Sequence, residues 1–307
     1  MPSEDERVTG QAMFTSGRAA QLASDAARKA GLDPTGAELI RFGENALFRL
    51  PSHPVIVRVA RSTDYLGSVR KEVAVARWLA REGFPAARVL DDVEQPLVVE
   101  GCPVTFWHLI EAADRQPTYG ELGTLLRDLH SLSVPPSLDL PPFSAFGRTD
   151  LRIEKATGIP EHDRAFLRQR VQQLRANLAA LRFDSPTGPV HGDAHIQNVM
   201  VDGGGRAVLI DFEAFCHDHP EWDLMVTATE HRSLGWQSRD EYAAFVTAYG
   251  RDLSVWHGYP TLRGIQEFQM TTWLMQNIGE SPAVAAEYAH RVATLRDDNA
   301  PRHWQPG

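Results

Sequence analysis

Two short loops hold the residues of this 307-residue chain whose types and spacing could do chemistry. The first lies in Val190-His191-Gly192-Asp193-Ala194-His195-Ile196-Gln197-Asn198-Val199-Met200-Val201, and the second in Val208-Leu209-Ile210-Asp211-Phe212-Glu213. Between them stands Gly203-Gly204-Gly205, which reads as a hairpin turn rather than a phosphate cradle because no helix follows it. The order is loop, strand, turn, strand, loop, so Asp193, Asn198 and Asp211 stand at strand ends and can converge on one point. Such a trio suits phosphoryl transfer: one carboxylate orients an incoming hydroxyl while hard oxygen donors hold Mg²⁺ on the phosphates.

The elements that must position these loops come in two kinds. Residues 1–14 read as a loose, disordered tail, after which Thr15 or Ser16 can cap a helix running to about Lys29 and closed by Gly31. From Ala37 to Val59 the runs ELIRF, ALFRL and VIVRVA alternate in the strand manner, broken by Gly43-Glu44-Asn45 and by Pro51-Ser52-His53-Pro54. Helical spacing returns from about Tyr65 to Glu82, with Val69, Val73, Ala76 and Ala80 on one stripe. PLVVE and VTFWHLI then form a second strand pair. Beyond Gly120 the chain is mostly helical: ELGTLLRDLHSL has a leucine face, Ser238 and Glu241 make a capping-box signature, and helices are predicted over about 261–278 and 282–296, the last with Ser281 as cap and Pro282 in its first turn. Strands with one helix followed by helices predict an α+β arrangement of two lobes, 1–107 and 108–307.

His191-Gly192-Asp193, Asn198 five residues after the aspartate, and Asp211 in an apolar-Asp-Phe setting resemble the aminoglycoside phosphotransferase family. The protein-kinase pattern H-R-D-x-x-x-x-N followed by D-F-G shares that spacing; Gly192 here replaces its Arg and Glu213 its Gly, as is usual in the phosphotransferases. The resemblance extends in element order from about Gly36 to Leu224. It implies a two-lobed, protein-kinase-like fold with a small antiparallel-sheet N-lobe and a mostly helical C-lobe. It also implies Asp193 as catalytic base, Asn198 and Asp211 as Mg²⁺ ligands, and Asp223 as a brace for the catalytic loop. In the N-lobe it implies a nucleotide loop at Gly43 and Asn45, Arg58 where a kinase has its phosphate-binding lysine, Glu72 as the ion-pair partner of Arg58, and nucleotide contacts at His108 and Ile110 from backbone near the lobe junction. Strand alternation agrees, since Val55, Val57 and Val59 share one face and Ile56 with Arg58 the other. Of the three lysines, Lys29, Lys71 and Lys155, none is placed there, and a guanidinium fork can also hold phosphate oxygens.

A net charge of -9 argues against a nucleic-acid partner, because phosphate backbones are held by basic surfaces. No run approaches the roughly 18 to 20 apolar residues of a membrane span, and the opening MPSEDERVTGQAMF is acidic where a signal peptide would be basic, so a cytoplasmic protein without a membrane partner is expected. Two cysteines are too few for a disulfide framework. Glu213, Asp218, Glu230 and Glu267 are candidate substrate contacts, and acids in a cleft would concentrate a cation. The expected reaction moves the γ-phosphoryl group of ATP or GTP to a hydroxyl of a small, cationic molecule, aminoglycoside-like antibiotics first, with choline, homoserine or a sugar amine as alternatives. Two other classes stay open: a zinc-dependent hydrolase built on His191, Asp193, His195 and Asp211, and a nucleotide-binding protein without catalysis. Outside those readings His191 is a structural loop residue and His130 a packed core histidine.

Overall fold

The computed structural model describes residues 14–43 and 45–306. Residues 1–13 of the expected tail lie outside that range, as does Glu44 of the expected nucleotide loop, but Phe14 is packed, its ring stacked on Phe42 at 5.6 Å. The chain divides into two compact units, Met1–Ala112 and Ala113–Gly307.

In the first unit, α1 (Ser16–Lys29) starts at Thr15, whose side chain accepts from the Arg18 N–H, and ends before Gly31. It lays Ala19, Leu22, Ala23, Ala26 and Ala27 on one face of a five-stranded antiparallel sheet. The strands are β1 (Glu38–Phe42), β2 (Asn45–Leu50), β3 (Val55–Ala60), β4 (Leu97–Val99) and β5 (Cys102–His108), in the order β1-β2-β3-β5-β4. Alternation puts Val55, Val57 and Val59 under α1 and turns Ile56 and Arg58 to the opposite face. That second face meets α2 (Leu66–Arg81), whose buried stripe is Val69, Val73 and Ala76 with Glu72 among them. The expected break after residue 107 falls inside this unit: β5 runs to His108, and the Leu109 N–H still donates to the Pro54 carbonyl at 2.7 Å.

The second unit is mostly helical. It holds α3 (Tyr119–His130), α4 (Thr149–Lys155), α5 (Glu161–Ala180), a pair β6 (Gly188–Val190) and β9 (Cys216–Asp218), and a hairpin β7 (Val199–Val201) and β8 (Ala207–Leu209). After these come α6 (Glu221–Thr229), α7 (Arg239–Tyr249), α8 (Tyr259–Leu274) and α9 (Pro282–Leu295). α3 and α7 carry full capping boxes, Thr118 with Glu121 and Ser238 with Glu241. They approach closely at Gly123, where a Cβ would stand 2.6 Å from the Phe245 carbonyl oxygen. All nine residues of α6 are buried, so this helix has no solvent-exposed face. Among the described residues no helix is long and apolar enough to cross a membrane.

Candidate active site

Strand β6 delivers His191, Gly192 and Asp193 into a loop, and a tight turn over Ile196–Asn198 then leads into β7. Gly192 has φ +83°, and a Cβ there would meet the Ala214 carbonyl oxygen at 2.3 Å, so only glycine lets this loop lie against the loop that follows β8. The loop is held from below by Asp223, which is fully buried. Its Oδ2 accepts from the His191 N–H at 2.8 Å and from His130 Nε2 at 2.9 Å, while Oδ1 accepts from the Gly192 N–H at 2.8 Å. His130 Nδ1 is in turn 3.0 Å from the Tyr249 hydroxyl, so a chain of polar contacts from α3 and α7 fixes the carboxylate.

His191 is also fully buried and has both ring nitrogens engaged: Nε2 donates to the Ile210 carbonyl at 2.9 Å, and Nδ1 accepts from the Asp193 N–H at 3.3 Å. It ties the two loops together and has no lone pair left for a metal, which removes the first ligand of the zinc-hydrolase reading. Asn198 donates its amide to the Asp193 carbonyl at 2.8 Å and approaches His195 Nε2 at 3.1 Å. Both contacts use the nitrogen, so Oδ1 is the end without a partner among the described residues. Asp211 adopts the left-handed region at φ +66°, which aspartate tolerates better than most residues, and its Oδ1 lies 3.4 Å from the Glu213 N–H.

Asp193 keeps 56% of its side-chain surface open, with Oδ2 3.4 Å from His195 Nε2. The surrounding protein would raise its carboxyl, but the hydrogen bond and charge of His195 outweigh this and hold it below the ordinary value. The same contact works in reverse on His195: burial alone would lower it, and Asp193, with smaller help from Glu230 and Asp211, leaves it raised. A carboxylate kept ionised and accessible can accept a proton from a hydroxyl.

The four candidate substrate acids separate. Glu267 is 1% exposed; its Oε2 takes Arg302 at 2.9 Å and its Oε1 the Ser233 hydroxyl, so it is an interior ion-pair partner and not a substrate contact. Asp218 likewise turns inward, with Oδ2 on the Phe143 N–H at 2.9 Å and Oδ1 on the Trp222 indole at 3.1 Å. Glu213 stays in the loop beside Asp211. Glu230 opens a single π-helical turn, Glu230–Leu234, and receives Gln237 Nε2 at 2.5 Å. Burial pushes its carboxyl up to about 7, against the pull of Gln237 and His195 and with a further push from Asp193, so it lies within electrostatic reach of the candidate base. Tyr119 completes this corner, its phenol pushed up to about 12 by burial and by the charge of Glu230. Sequence reasoning missed Tyr119 and Gln237, which carry no motif, and weighed His195 only as a zinc ligand.

In the first unit Arg58 Nη1 pairs with Glu72 Oε2, the two side chains being 16% and 3% exposed. The Asn45 amide, with its oxygen turned to the guanidinium as the hydrogen-bond pattern requires, accepts from Nε at 3.3 Å and Nη2 at 2.8 Å. Gly43 closes the β1–β2 turn with its N–H on the Asn45 carbonyl at 3.1 Å. At the end of β5 the His108 N–H is taken by the Arg88 carbonyl at 2.8 Å, so that amide is not open to a ligand; Ile110 supplies the first amide with no partner among the described residues.

The sequence profile of the phosphotransferase enzyme family matches residues 43–265. No curated protein matches the chain. Among solved structures, an amicoumacin kinase in complex with AMP-PNP, Ca²⁺ and its ligand superposes with TM-score 0.72 at 16% identity, over 95% of this chain and 98% of that one. A microcompartment-associated aminopropanol kinase gives TM-score 0.69 at 17% identity over 91% and 98% of the two chains. A spectinomycin phosphotransferase in complex with ADP and spectinomycin gives 0.63 at 15% identity over 95% and 96%. These similarities show the protein-kinase-like α+β fold, and with the matching profile over most of its length the chain belongs to the phosphotransferase enzyme family.

Proposed function

We propose that the chain transfers the γ-phosphoryl group of ATP or GTP to a hydroxyl of a small, amine-bearing molecule, an aminoglycoside-like antibiotic or a simpler amino alcohol. The observation that carries this reading is the arrangement around Asp193: an ionised, open carboxylate on a loop locked by Asp223, next to Asn198 and Asp211, whose oxygens remain available. Asp193 orients the acceptor hydroxyl and takes its proton. Asn198 Oδ1 and Asp211 fit Mg²⁺, a hard cation that takes few protein oxygens and completes its shell from water and phosphate, and the cation would offset charge on the phosphates. Transfer of γ-labelled phosphate from ATP is expected to at least one member of a panel of spectinomycin, choline, ethanolamine and aminopropanol, above the rate of hydrolysis. No labelled product from this panel, or faster transfer to neutral polyols such as glycerol and inositol assayed beside it, would count against the amine.

Arg58 holds the non-transferred phosphates in this reading. Its Nε–Nη2 edge, now facing Asn45, is the one that grips two oxygens at once, and Glu72 aims it. Glu72→Gln is expected to raise the nucleotide KM by about fivefold, since a charge-assisted contact contributes on the order of 1 kcal/mol or more. Arg58→Ala should do so more strongly and also lower the melting temperature, because buried Glu72 loses the Arg58 guanidinium. Calorimetric nucleotide binding unchanged in Arg58→Ala would detach Arg58 from the phosphates.

Glu230 is the acid placed to meet the acceptor's ammonium group. With its carboxyl near 7, its charge appears as pH rises from 6 to 8, while an alkyl ammonium stays protonated; His195, Asp193 and Tyr119 are the titratable groups that face it. The acceptor KM is therefore expected to fall across that interval. In Glu230→Gln it should be raised on the order of tenfold at pH 8 and lose this dependence. Initial-rate profiles at saturating nucleotide test it, and identical profiles for wild type and variant would exclude Glu230 from the acceptor site.

A further inference from the structure

We infer that the segment 297–306 is a positioning strap for the turn that carries Glu230, so that Arg302 and Trp304 act on acceptor binding through Ser233 and Trp236. The inference rests on the reading of Glu230 as an acceptor contact. A π-helical turn has poor internal geometry and persists where its surroundings hold it. The turn at Glu230–Leu234 is closed by Gly235 at φ +68°, and the Trp236 N–H returns to the Glu230 carbonyl at 3.0 Å. His231 of the turn stacks on Tyr242 of α7 at 4.4 Å, and two further contacts, from Ser233 and from Trp236 just past the turn, lead to the strap. Ser233 donates to Glu267 Oε1, and the other oxygen of that carboxylate takes Arg302 through Nε at 3.1 Å and Nη2 at 2.9 Å. Trp236 donates its indole N–H to the Trp304 carbonyl at 2.7 Å.

The strap is itself firmly held. Arg302 is 2% exposed and its Nη1 donates to the carbonyls of Thr294, Asp297 and Ala300 at 2.7, 3.1 and 2.9 Å. Trp304 is 2% exposed, bonds Thr294 Oγ1 at 2.9 Å and carries the Arg291 guanidinium over its ring at 5.0 Å. Neither charge of the Glu267–Arg302 pair can be left alone in the interior without a large penalty, so the two ends of this support stay together. By contrast, the Asp193 loop is held by Asp223 and His130 and draws nothing from the strap. The unit thus has two sets of polar contacts on one continuous helical segment, one at Asp223 under the candidate base and one at the Glu230 turn that follows α6.

The test uses Ser233→Ala combined with Trp236→Phe, which removes both anchoring donors while leaving an apolar aromatic ring at 236, and Trp304→Leu as a second variant from the other side. Carbon-13 titration of the Glu230 carboxyl needs no acceptor: from about 7 in the wild type it should fall toward the ordinary glutamate value as the turn opens to water. With whichever of spectinomycin, choline, ethanolamine and aminopropanol gives the highest kcat/KM, the acceptor KM should rise on the order of tenfold, with nucleotide KM and saturated kcat unchanged. In a Glu230→Gln background the same changes should add less than about twofold, because both act through one contact. Variants that lose thermal stability yet keep the wild-type Glu230 titration and acceptor KM would overturn the strap. If instead Glu230→Gln leaves acceptor KM unchanged while the strap variants still shift the Glu230 titration, the acceptor reading fails and the mechanical link stands.

Discussion

Asp193→Asn is expected to lower kcat by about 10² to 10⁴ while nucleotide binding and folding stay as in the wild type, the range over which a positioned general base contributes. The amide has the same size and still accepts a hydrogen bond, but it cannot take the acceptor's proton. The loop should survive the change because its supports are elsewhere: Asp223 receives the His191 and Gly192 amides, and His191 bridges to Ile210. The Asp193 carboxylate itself is more than half exposed, with only the long contacts to His195 and Asn198, both 3.4 Å, to lose. Steady-state turnover with calorimetric nucleotide affinity separates chemistry from binding, and turnover within about threefold of wild type would take the base role from Asp193.

Asp223→Ala should produce the largest loss of stability of any single change at the site. It would strand two buried amide donors and His130, which together now meet one carboxylate with no exposed surface. Removing one side of such a buried, charge-assisted network costs about 3 to 5 kcal/mol, equivalent to a melting temperature lower by on the order of 10 °C. Asp223→Asn rescues little, because whichever end of the amide faces Oδ1 or Oδ2, an NH₂ group is set against an N–H donor. Even well below its melting point the alanine variant should turn over about a hundredfold more slowly, since misplacing a catalytic group by an ångström has that effect. Scanning calorimetry and low-temperature rates check both halves; a variant that melts within about 2 °C of wild type would show that the loop does not hang from Asp223.

Much of this was written in local spacing. The Asp193, Asn198 and Asp211 trio, the hairpin between them, the Val55-Val57-Val59 alternation that turns Arg58 away from α1, and the caps at Thr15, Ser238 and Ser281 depend on neighbours a few residues away, and all are present in the structure. Helix α6 left no such trace, because a helix buried on every side has no wet face against which a dry one could set a period. Strands β6 and β9, three residues each and paired across more than twenty residues of chain, are too short to alternate. The fate of each acid was the hardest to read. Asp218 and Glu267 look like solvated or substrate-facing carboxylates until Phe143, 75 residues away, and Arg302, 35 residues away, occupy their oxygens. Glu230, a carboxylate nearby in sequence, has one oxygen on Gln237 and no partner among the described residues on the other, within electrostatic reach of Asp193. Sequence by itself nominated the residues proposed for phosphoryl transfer, since reactive groups and their immediate turns are local. Tertiary structure alone decided which carboxylates are free to act, since a charge is silenced or left available by partners that only the folded chain brings to it.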